Sequence, residues 1–317
     1  MTCEILTLID PDSGALARFL PGVGCNCFQF QVPTRSGPVE VLWAEPGFEQ
    51  GDKRASGSGN PVLFPFPGRI QGTTLHWDGR DWPLAPGDGL GNAIHGFVHE
   101  RAWRVVELES SRLVAEFQAS QDDPQLLQSW PADFRIRASY TLRGAQLSAT
   151  YRIENPAACP LPYGLGTHPY FRLPLGGTSA AGCRVHVPVQ RCWELAAMIP
   201  TGSPMPPDVA ARLERGQMFR DMTYDDVFSD LVARGGQCEA TIDDPESGRR
   251  MTLTFDSGFR ACVLYTPPHR EALCIEPYTC IPDPFRLESL GIDAGLRVLD
   301  PGQSCELHVD IELCELS

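Results

Sequence analysis

The sequence predicts an all-β protein, a large antiparallel β-sandwich, and three observations lead to this fold class. Apolar and polar residues alternate with a period of two in many segments, which is typical of strands that bury one face. Glycine and proline number 30 and 29, and such contents suit a chain with many turns. Helical periodicity is scarce. The alternating segments are CNCFQFQV (25–32), RLVAEFQ (112–118), FRIRASYTL (134–142), AQLSATYRI (145–153), RMTLTF (250–255) and CELHVDIEL (305–313).

Short turn-forming sequences join several of these segments and predict hairpins. The dipeptide Arg143-Gly144 separates two alternating segments, and DPESG (244–248) precedes another. A helical pattern occurs in two short segments, 125–130 and 208–216. Because no repeat, low-complexity tract or linker divides the chain, we expect one domain over residues 1–317.

The composition excludes several classes of function. The formal net charge is −14, whereas proteins that bind nucleic acid or an anionic membrane need clustered Lys and Arg. The first residues include Glu4, Asp10 and Asp12 and lack the basic start and apolar run of a secretion signal. We therefore expect a soluble, cytoplasmic protein that binds neither nucleic acid nor a membrane.

The twelve cysteines do not form the usual metal or redox motifs. No CxxC pair occurs in the chain, so the spacing of common zinc and thiol-redox sites is absent. In a reducing compartment we expect these residues to be free thiols, most of them small core residues. The sequence therefore predicts neither a disulfide framework nor a metal site.

The segment NPVLFPFPGRI (60–70) ends an apolar, proline-rich run with Arg69. Proline removes a backbone donor and fixes φ, so we expect an extended segment that is buried by its side chains but not fully paired in a sheet. Arg69 would then stand at the end of a stiff segment. The alternative is an edge strand whose arginine points to solvent.

Two histidines lie among glycine, proline and aromatic residues. His95 occurs in NAIHGF (92–97), and His168 occurs in GLGTHPYF (164–171). In such surroundings the backbone can approach a ligand closely. For each histidine, a core position with a satisfied partner remains the alternative.

Two acidic positions are further candidates. Glu276 ends an apolar strand pattern in LCIEPYT (273–279), so we expect it half-buried at the rim of a sheet, with a raised pKa that suits a general base. A salt bridge at a strand end is the alternative. Asp225 lies beside a second carboxylate in TYDDVFS (223–229), a pattern that alone indicates a solvated turn.

Several enzyme signatures are absent, among them GxGxxG after a strand, GxxxxGK, HExxH and GxSxG. Their absence removes the local signals for nucleotide binding, zinc proteolysis and esterase chemistry. Aromatic residues surround the candidate motifs, and a carbohydrate pocket needs aromatic walls with convergent polar groups. These rings could equally form core. They are Phe64, Phe66, Trp77, Trp82, Phe97, Trp103, Tyr170, Phe171 and Tyr278.

Five motifs, taken in order, resemble those of the aldose 1-epimerase (galactose mutarotase) family, and the likeness covers nearly the whole chain. It implies the family's fold, a large antiparallel β-sandwich of the galactose mutarotase-like supersandwich type, with the sugar site on one concave sheet. The motifs are NPVLFPFPGRI, NAIHGFVHERAW, GLGTHPYFRLP, YDDVFSDL, and LCIEPYT followed by PDPF.

The resemblance also implies roles for five residues, and it implies no cofactor. His168 would protonate the sugar ring oxygen, and Glu276 would take the proton from the anomeric hydroxyl. Arg69, His95 and Asp225 would hold the sugar's hydroxyl groups. The implied partner is a free aldohexose such as glucose or galactose, and the implied reaction is the interconversion of its α and β anomers.

Two rival functions remain open. A sugar-binding or sensing protein could keep the fold and the pocket, although it would need neither proton-transfer group. An epimerase for hexose 6-phosphates would need further cations, for which Arg172 and Arg286 are candidates. The sequence departs from the family at Gly68, often asparagine, and at Arg172, where asparagine commonly follows tyrosine-phenylalanine. These departures bear on the preferred sugar more than on the reaction.

The acid–base scheme predicts a bell-shaped dependence of rate on pH. From the ordinary pKa values of the two groups, the acid limb would report protonation of Glu276 and the alkaline limb would report deprotonation of His168.

Overall fold

The computed structural model describes residues 4–316 and consists mainly of antiparallel strands. A nine-stranded sheet is its largest element. The central strands of this sheet alternate buried and exposed side chains, as the period-two pattern predicts. In spatial order the strands are Arg104–Leu108, Arg112–Gln118, Arg135–Arg143, Gln146–Glu154, Ser304–Glu315, Arg249–Asp256, Gln237–Asp244, Arg184–His186 and Gln217–Met218.

An eight-stranded sheet carries the candidate site. Its central strands are buried on both faces, which indicates that one face packs on the core and the other lies beneath further structure. In spatial order the strands are Ile199–Pro204, Arg191–Ala196, Asp225–Ser229, Ala261–Tyr265, Ala272–Tyr278, Gly166–Thr167 and Val62–Leu63, with Tyr170–Arg172 also paired to Ala272–Tyr278.

Smaller sheets and short helices complete the described residues. A four-stranded sheet contains Leu6–Ile9, Leu16–Leu20, Asn26–Val32 and Val39–Glu40. Three two-stranded ribbons pair Leu161–Tyr163 with Arg297–Leu299, Arg69–Ile70 with Ala93–Ile94, and Thr74–Trp77 with Arg80–Pro83. The α-helices are Ala119–Asp122, Asp208–Glu214 and Pro284–Ser289, and the 3₁₀-helices are Phe48–Gln50, Ala55–Gly57, Val98–Glu100, Pro124–Gln128, Ala180–Gly182 and Phe219–Asp221.

The structure confirms the all-β antiparallel sandwich predicted from the alternation. All six alternating segments are strands, and the turns at 143–144 and 244–248 close hairpins. The largest hydrophobic core cluster takes side chains from the nine-, eight- and four-stranded sheets. Of the two helical predictions, 208–216 contains an α-helix, whereas 125–130 falls largely within a 3₁₀-helix. No helix in residues 4–316 has the length and apolarity needed to cross a membrane.

The proline-rich segment 60–70 is extended and almost wholly buried, as expected. It forms only the short strands Val62–Leu63 and Arg69–Ile70, because its prolines have no N–H to donate to a longer ladder. Between these strands, Phe64 makes a parallel bridge to Gly96. This contact ties the segment that carries Arg69 to the segment that carries His95.

Candidate active site

A cavity of about 310 Å³ lies over the eight-stranded sheet, and the five residues predicted from the sequence line it. Its volume falls within the range of small-molecule sites. Because the five residues come from distant parts of the chain, their meeting is a property of the tertiary structure. They are Arg69, His95, His168, Asp225 and Glu276.

Glu276 lies within a strand and not at the rim of the sheet, so the expected half-buried position is wrong. It is 1% exposed and belongs to Ala272–Tyr278, whose register places it opposite Val263 of the neighbouring strand. Leu273 and Ile275 point to the core, whereas Glu276 points to the cavity. The prediction failed because both faces of this strand are buried. In such a strand, a carboxylate that follows the apolar run can be as buried as the run itself.

His168 faces Glu276 across the sheet. The strand Ala272–Tyr278 pairs on its other side first with Gly166–Thr167 and then with Tyr170–Arg172. Both pairings share one register, and its continuation across the gap between them places His168 directly opposite Glu276. The distance from His168 Nε2 to Glu276 Oε1 is 3.4 Å.

Two prolines explain why the sheet is interrupted at this point. His168 and Glu276 are each followed by proline, at positions 169 and 277. Neither proline has an N–H, so the hydrogen-bonding ladder cannot be completed between the two residues. The interruption separates the short strands that flank His168, and the imidazole lies on the cavity wall.

Tyr278 orients the carboxylate, and the sequence reasoning missed this role. Its hydroxyl donates a hydrogen bond of 2.6 Å to Glu276 Oε2. The ring packs closely against Gly166, where a Cβ would lie only 2.5 Å from Tyr278 Cδ1. The close contact holds the ring in place. Residues two apart on a strand share a face, so the spacing of Glu276 and Tyr278 was a signal that could have found this pair.

Burial sets the protonation of the acid–base pair. It raises the pKa of Glu276 well above its ordinary value, although the hydrogen bond from Tyr278 opposes the shift. Burial also lowers the pKa of His168 to about 3. The pKa of Glu276 therefore lies above that of His168, so at a pH between the two values the pair holds one proton, and that proton resides on the carboxyl group.

Arg69 is fixed by a carboxylate behind it. Its Nε donates to Asp88 Oδ2 at 3.2 Å, and Asp88 also accepts hydrogen bonds from Asn92 and from the backbone of Leu90. Burial raises the pKa of Asp88, but these hydrogen bonds and the charge of Arg69 lower it to about 2. The remaining guanidinium donors of Arg69 are thus available at the cavity wall.

His95 occupies a constrained loop position. Its φ is 66°, and its backbone N–H donates to the carbonyl of Gly68. The next residue, Gly96, has a φ of 68°, and a Cβ there would lie 2.2 Å from the carbonyl oxygen of Phe64. His95 and His168 meet edge to face with ring centroids 5.5 Å apart, and burial lowers the pKa of His95 well below its ordinary value.

Asp225 begins the strand Asp225–Ser229, so the expected turn is wrong, although the residue is exposed to solvent as that pattern indicated. It pairs with Tyr265 on the neighbouring strand, and the hydrogen bonds of that pairing replace the turn that the two adjacent carboxylates indicated. Burial raises the pKa of Asp225, although the charge of Arg69 lowers it. The carboxylate lies on the cavity wall as a hydrogen-bond acceptor.

Three further residues of the cavity wall carry rings, and two of them, Trp43 and His269, were not found from the sequence. Trp43 stacks on His269 with ring centroids 4.1 Å apart and an angle of 15° between the planes. Tyr170 stacks in the same way on His168, at 4.9 Å and 6°. These rings supply the aromatic walls expected of the pocket, and only Tyr170 was among the aromatic residues named from the sequence.

The two arginines considered for phosphate binding do not line the cavity. Arg286 is engaged elsewhere, since its side chain bonds to Asp283 and to the carbonyl of Pro200. Arg172 lies on the strand Tyr170–Arg172 beside the site. The cations on the cavity wall are Arg69 and Arg54.

A comparison of sequences decides the family. Residues 6–312 match the sequence model of the family described as aldose 1-epimerase. The chain belongs to the aldose 1-epimerase family. Two curated relatives of this family member are the uncharacterized proteins YihR and YphB of Escherichia coli. YihR is 25% identical over 255 residues, which cover 79% of this chain and 77% of YihR. YphB is 26% identical over 150 residues, so the match spans about half of each protein, 46% of this chain and 49% of YphB.

Solved structures share the fold of this aldose 1-epimerase family member over its whole length. A galactose mutarotase-like protein from Clostridium acetobutylicum is 23% identical with a TM-score of 0.85, and the match covers 99% of each chain. An aldose epimerase homologue from Caenorhabditis elegans is 19% identical with a TM-score of 0.82, covering 99% of this chain and 100% of the other. A galactose 1-epimerase from Lactobacillus acidophilus is 16% identical with a TM-score of 0.73, covering 99% and 100%. These similarities confirm the galactose mutarotase-like sandwich.

Proposed function

We propose that the chain is an aldose 1-epimerase that interconverts the α and β anomers of a free hexose. The observation that supports this most is the pair formed by His168 and Glu276, an imidazole and a carboxyl group 3.4 Å apart on the wall of a small-molecule cavity. Family membership supports the same reaction. A location in the cytoplasm is part of this proposal.

The reaction needs two proton transfers and the cleavage of one C–O bond. A pyranose is a hemiacetal, so its opening removes the proton of the anomeric hydroxyl, whose oxygen forms the C1 carbonyl, while the bond from C1 to the ring oxygen breaks and that oxygen gains a proton. Glu276 accepts the first proton and His168 donates the second. Rotation about the C1–C2 bond exposes the other face of the aldehyde, and closure with the roles reversed gives the other anomer. Positioned acid–base groups contribute on the order of 10²- to 10⁴-fold each.

The free site holds the number of protons that this scheme requires. At a pH between the pKa values of His168 and Glu276 the pair carries one proton on the carboxyl group, and the bound sugar has to move it from the carboxyl to the imidazole. Sugar hydroxyls that donate to Glu276 favour the carboxylate form. Each group then gives and takes a proton once in a full turnover, so the pair returns to its starting state.

Arg69, His95 and Asp225 bind the sugar's hydroxyl groups in this proposal. They combine a guanidinium fork, an imidazole and a carboxylate acceptor, and they border the same cavity as the acid–base pair. Trp43 and Tyr170 offer apolar faces to the C–H surface of the ring. The donors and acceptors thus converge on a neutral polyol.

Polarimetry of freshly dissolved α-D-glucose and α-D-galactose tests the proposal directly. We expect catalytic amounts of protein to accelerate the approach to equilibrium rotation for at least one sugar. Glu276→Gln keeps the shape of the side chain and removes the proton acceptor, so its turnover should fall by about two to four powers of ten. Glu306→Gln on the nine-stranded sheet is the matched control, and its rate should equal that of the wild type.

The rival functions give different results in the same experiment. A sugar-binding or sensing protein would bind glucose or galactose in calorimetry without accelerating anomerisation. An epimerase for hexose 6-phosphates would accelerate the mutarotation of glucose 6-phosphate and leave the free sugars at the spontaneous rate. Neither Arg172 nor Arg286 lines the cavity, so neither supports the phosphate rival. Arg54 lines it together with Arg69, and the glucose 6-phosphate measurement tests whether these cations hold a phosphate.

A further inference from the structure

The strand that carries Glu276 also brings a thiol to the acid–base pair. Cys274 precedes Glu276 by two residues, lies on the same face of the strand and is fully buried. One ligand atom from each of His168, Cys274 and Glu276 lies within 4.8 Å of the other two. An imidazole, a thiolate and a carboxylate are ligands that Zn²⁺ binds in proteins.

We propose that His168, Cys274 and Glu276 form an inhibitory binding site for a thiophilic divalent cation such as Zn²⁺. A cation bound there occupies the two side chains placed opposite each other at the cavity wall, so it competes with any ligand that must reach them. No local spacing in the sequence indicates this site, because His168 comes from a different segment from Cys274 and Glu276.

The orientation of the carboxylate suits this role. Tyr278 donates to Glu276 Oε2, while Oε1 is the oxygen that lies 3.4 Å from His168 Nε2. One carboxylate oxygen is therefore held by a hydrogen bond, and the other points to the position where the ligands converge. Such a supporting hydrogen bond fixes a ligating carboxylate for a metal.

The charges also balance in the buried site. A thiolate and a carboxylate neutralise a divalent cation, which limits the energetic cost of burying the ion. Cys274 and Glu276 release their protons when they bind a cation, so the affinity should increase as the pH rises.

The site is suited to reversible inhibition and not to a resident ion. Nδ1 of His168 is buried without a hydrogen-bond partner, whereas the histidine ligands of resident sites almost always donate that second N–H to a partner. The three ligand atoms must also move closer together, since Zn–N and Zn–S distances are about 2.0–2.3 Å. This movement lowers the affinity.

Metal binding is tested without any turnover, by calorimetry with Zn²⁺ and by absorption spectroscopy with Co²⁺ as the probe. We expect one site in the cavity and a thiolate-to-cobalt charge-transfer band. Cys274→Ser, with Cys274→Ala as a second variant, should abolish the band and weaken Zn²⁺ binding at least about tenfold. Cys238→Ser removes a buried thiol of the nine-stranded sheet and should change neither measurement.

Two results would overturn the proposal. One is unchanged Zn²⁺ affinity and an unchanged cobalt band in both Cys274 variants. The other is cation binding that the Cys274 variants weaken but that saturating sugar does not displace, since a cation on His168 and Glu276 must exclude the ligand. Displacement is measured with a sugar that calorimetry shows to bind; a chain that binds no sugar counts against the proposed epimerase function, and the Cys274 variants alone then decide the cation site.

Discussion

Tyr278→Phe removes one hydroxyl group from the site and leaves the ring in place. The ring packs closely against Gly166 and Gly68, so phenylalanine should occupy the same position. What is lost is the 2.6 Å hydrogen bond to Glu276 Oε2. This bond lowers the pKa of Glu276 against the effect of burial, so its removal should raise that pKa further.

The size of the effect follows from the strength of the bond. A hydrogen bond to a charged group contributes about 1.5–3 kcal/mol, and one pKa unit corresponds to about 1.4 kcal/mol. The pKa of Glu276 should therefore rise by about 1–2 units. The carboxylate needed for catalysis becomes less favourable by the same energy, so kcat should fall by about 10- to 100-fold at neutral pH.

The assay is the pH dependence of kcat, measured by polarimetry. The pair is active while it holds one proton: at low pH it gains a second proton on His168, and at high pH it loses the last one from Glu276. This reverses the assignment of the limbs expected from ordinary pKa values, because burial shifts the two groups in opposite directions. Tyr278→Phe should move the alkaline limb to higher pH and leave the acid limb in place.

Tyr140→Phe is the control, since Tyr140 is a buried tyrosine of the nine-stranded sheet, away from the cavity. It should leave the pH profile unchanged. If Tyr278→Phe keeps the wild-type kcat and alkaline limb while remaining folded by circular dichroism, the hydrogen bond does not tune Glu276 and the reasoning is wrong.

Three further predictions concern the cavity and its supporting loop. Arg69→Lys should raise KM for the sugar by about tenfold or more with a smaller change in kcat, because lysine lacks the planar guanidinium that can donate to two hydroxyls at once. If steady-state kinetics show both constants unchanged, Arg69 does not bind the sugar. His168→Asn should abolish most of the rate, whereas His95→Asn should mainly weaken binding; kinetics showing the reverse would move the acid to His95. Gly96→Ala should lower the free energy of unfolding in urea by about 3 kcal/mol or more, since its Cβ would collide with a backbone carbonyl oxygen. The control Gly144→Ala lies in an open turn at φ 59° and should cost about 1–2 kcal/mol. Equal losses in the two variants would show that the close approach is not the cause.

Local patterns in the sequence indicate six of the strands and most residue types of the site. Period-two alternation is a local property, and the six segments that show it are all strands. The motifs around Arg69, His95, His168 and Glu276 made these residues candidates, because proline and glycine leave local signatures where the backbone must depart from a regular ladder. The pattern around Asp225 indicated only a solvated turn, and the family resemblance added it to the site. The roles of these five residues stay predictions until the variants are measured, as does the single domain over 1–317.

The way in which these residues meet, and their charge, depend on tertiary contacts. The register that sets His168 opposite Glu276 depends on the pairing of two distant strands, and neither segment records its partner. The depth of Glu276 depends on burial of both faces of its strand by structure from elsewhere in the chain, so the sequence placed it at a rim. Protonation follows depth, since loss of solvation raises the pKa of a carboxyl group and lowers that of an imidazole. Contacts between distant segments therefore set the register, the hydrogen bond from Tyr278 and the charge of the site, and no local pattern can specify them.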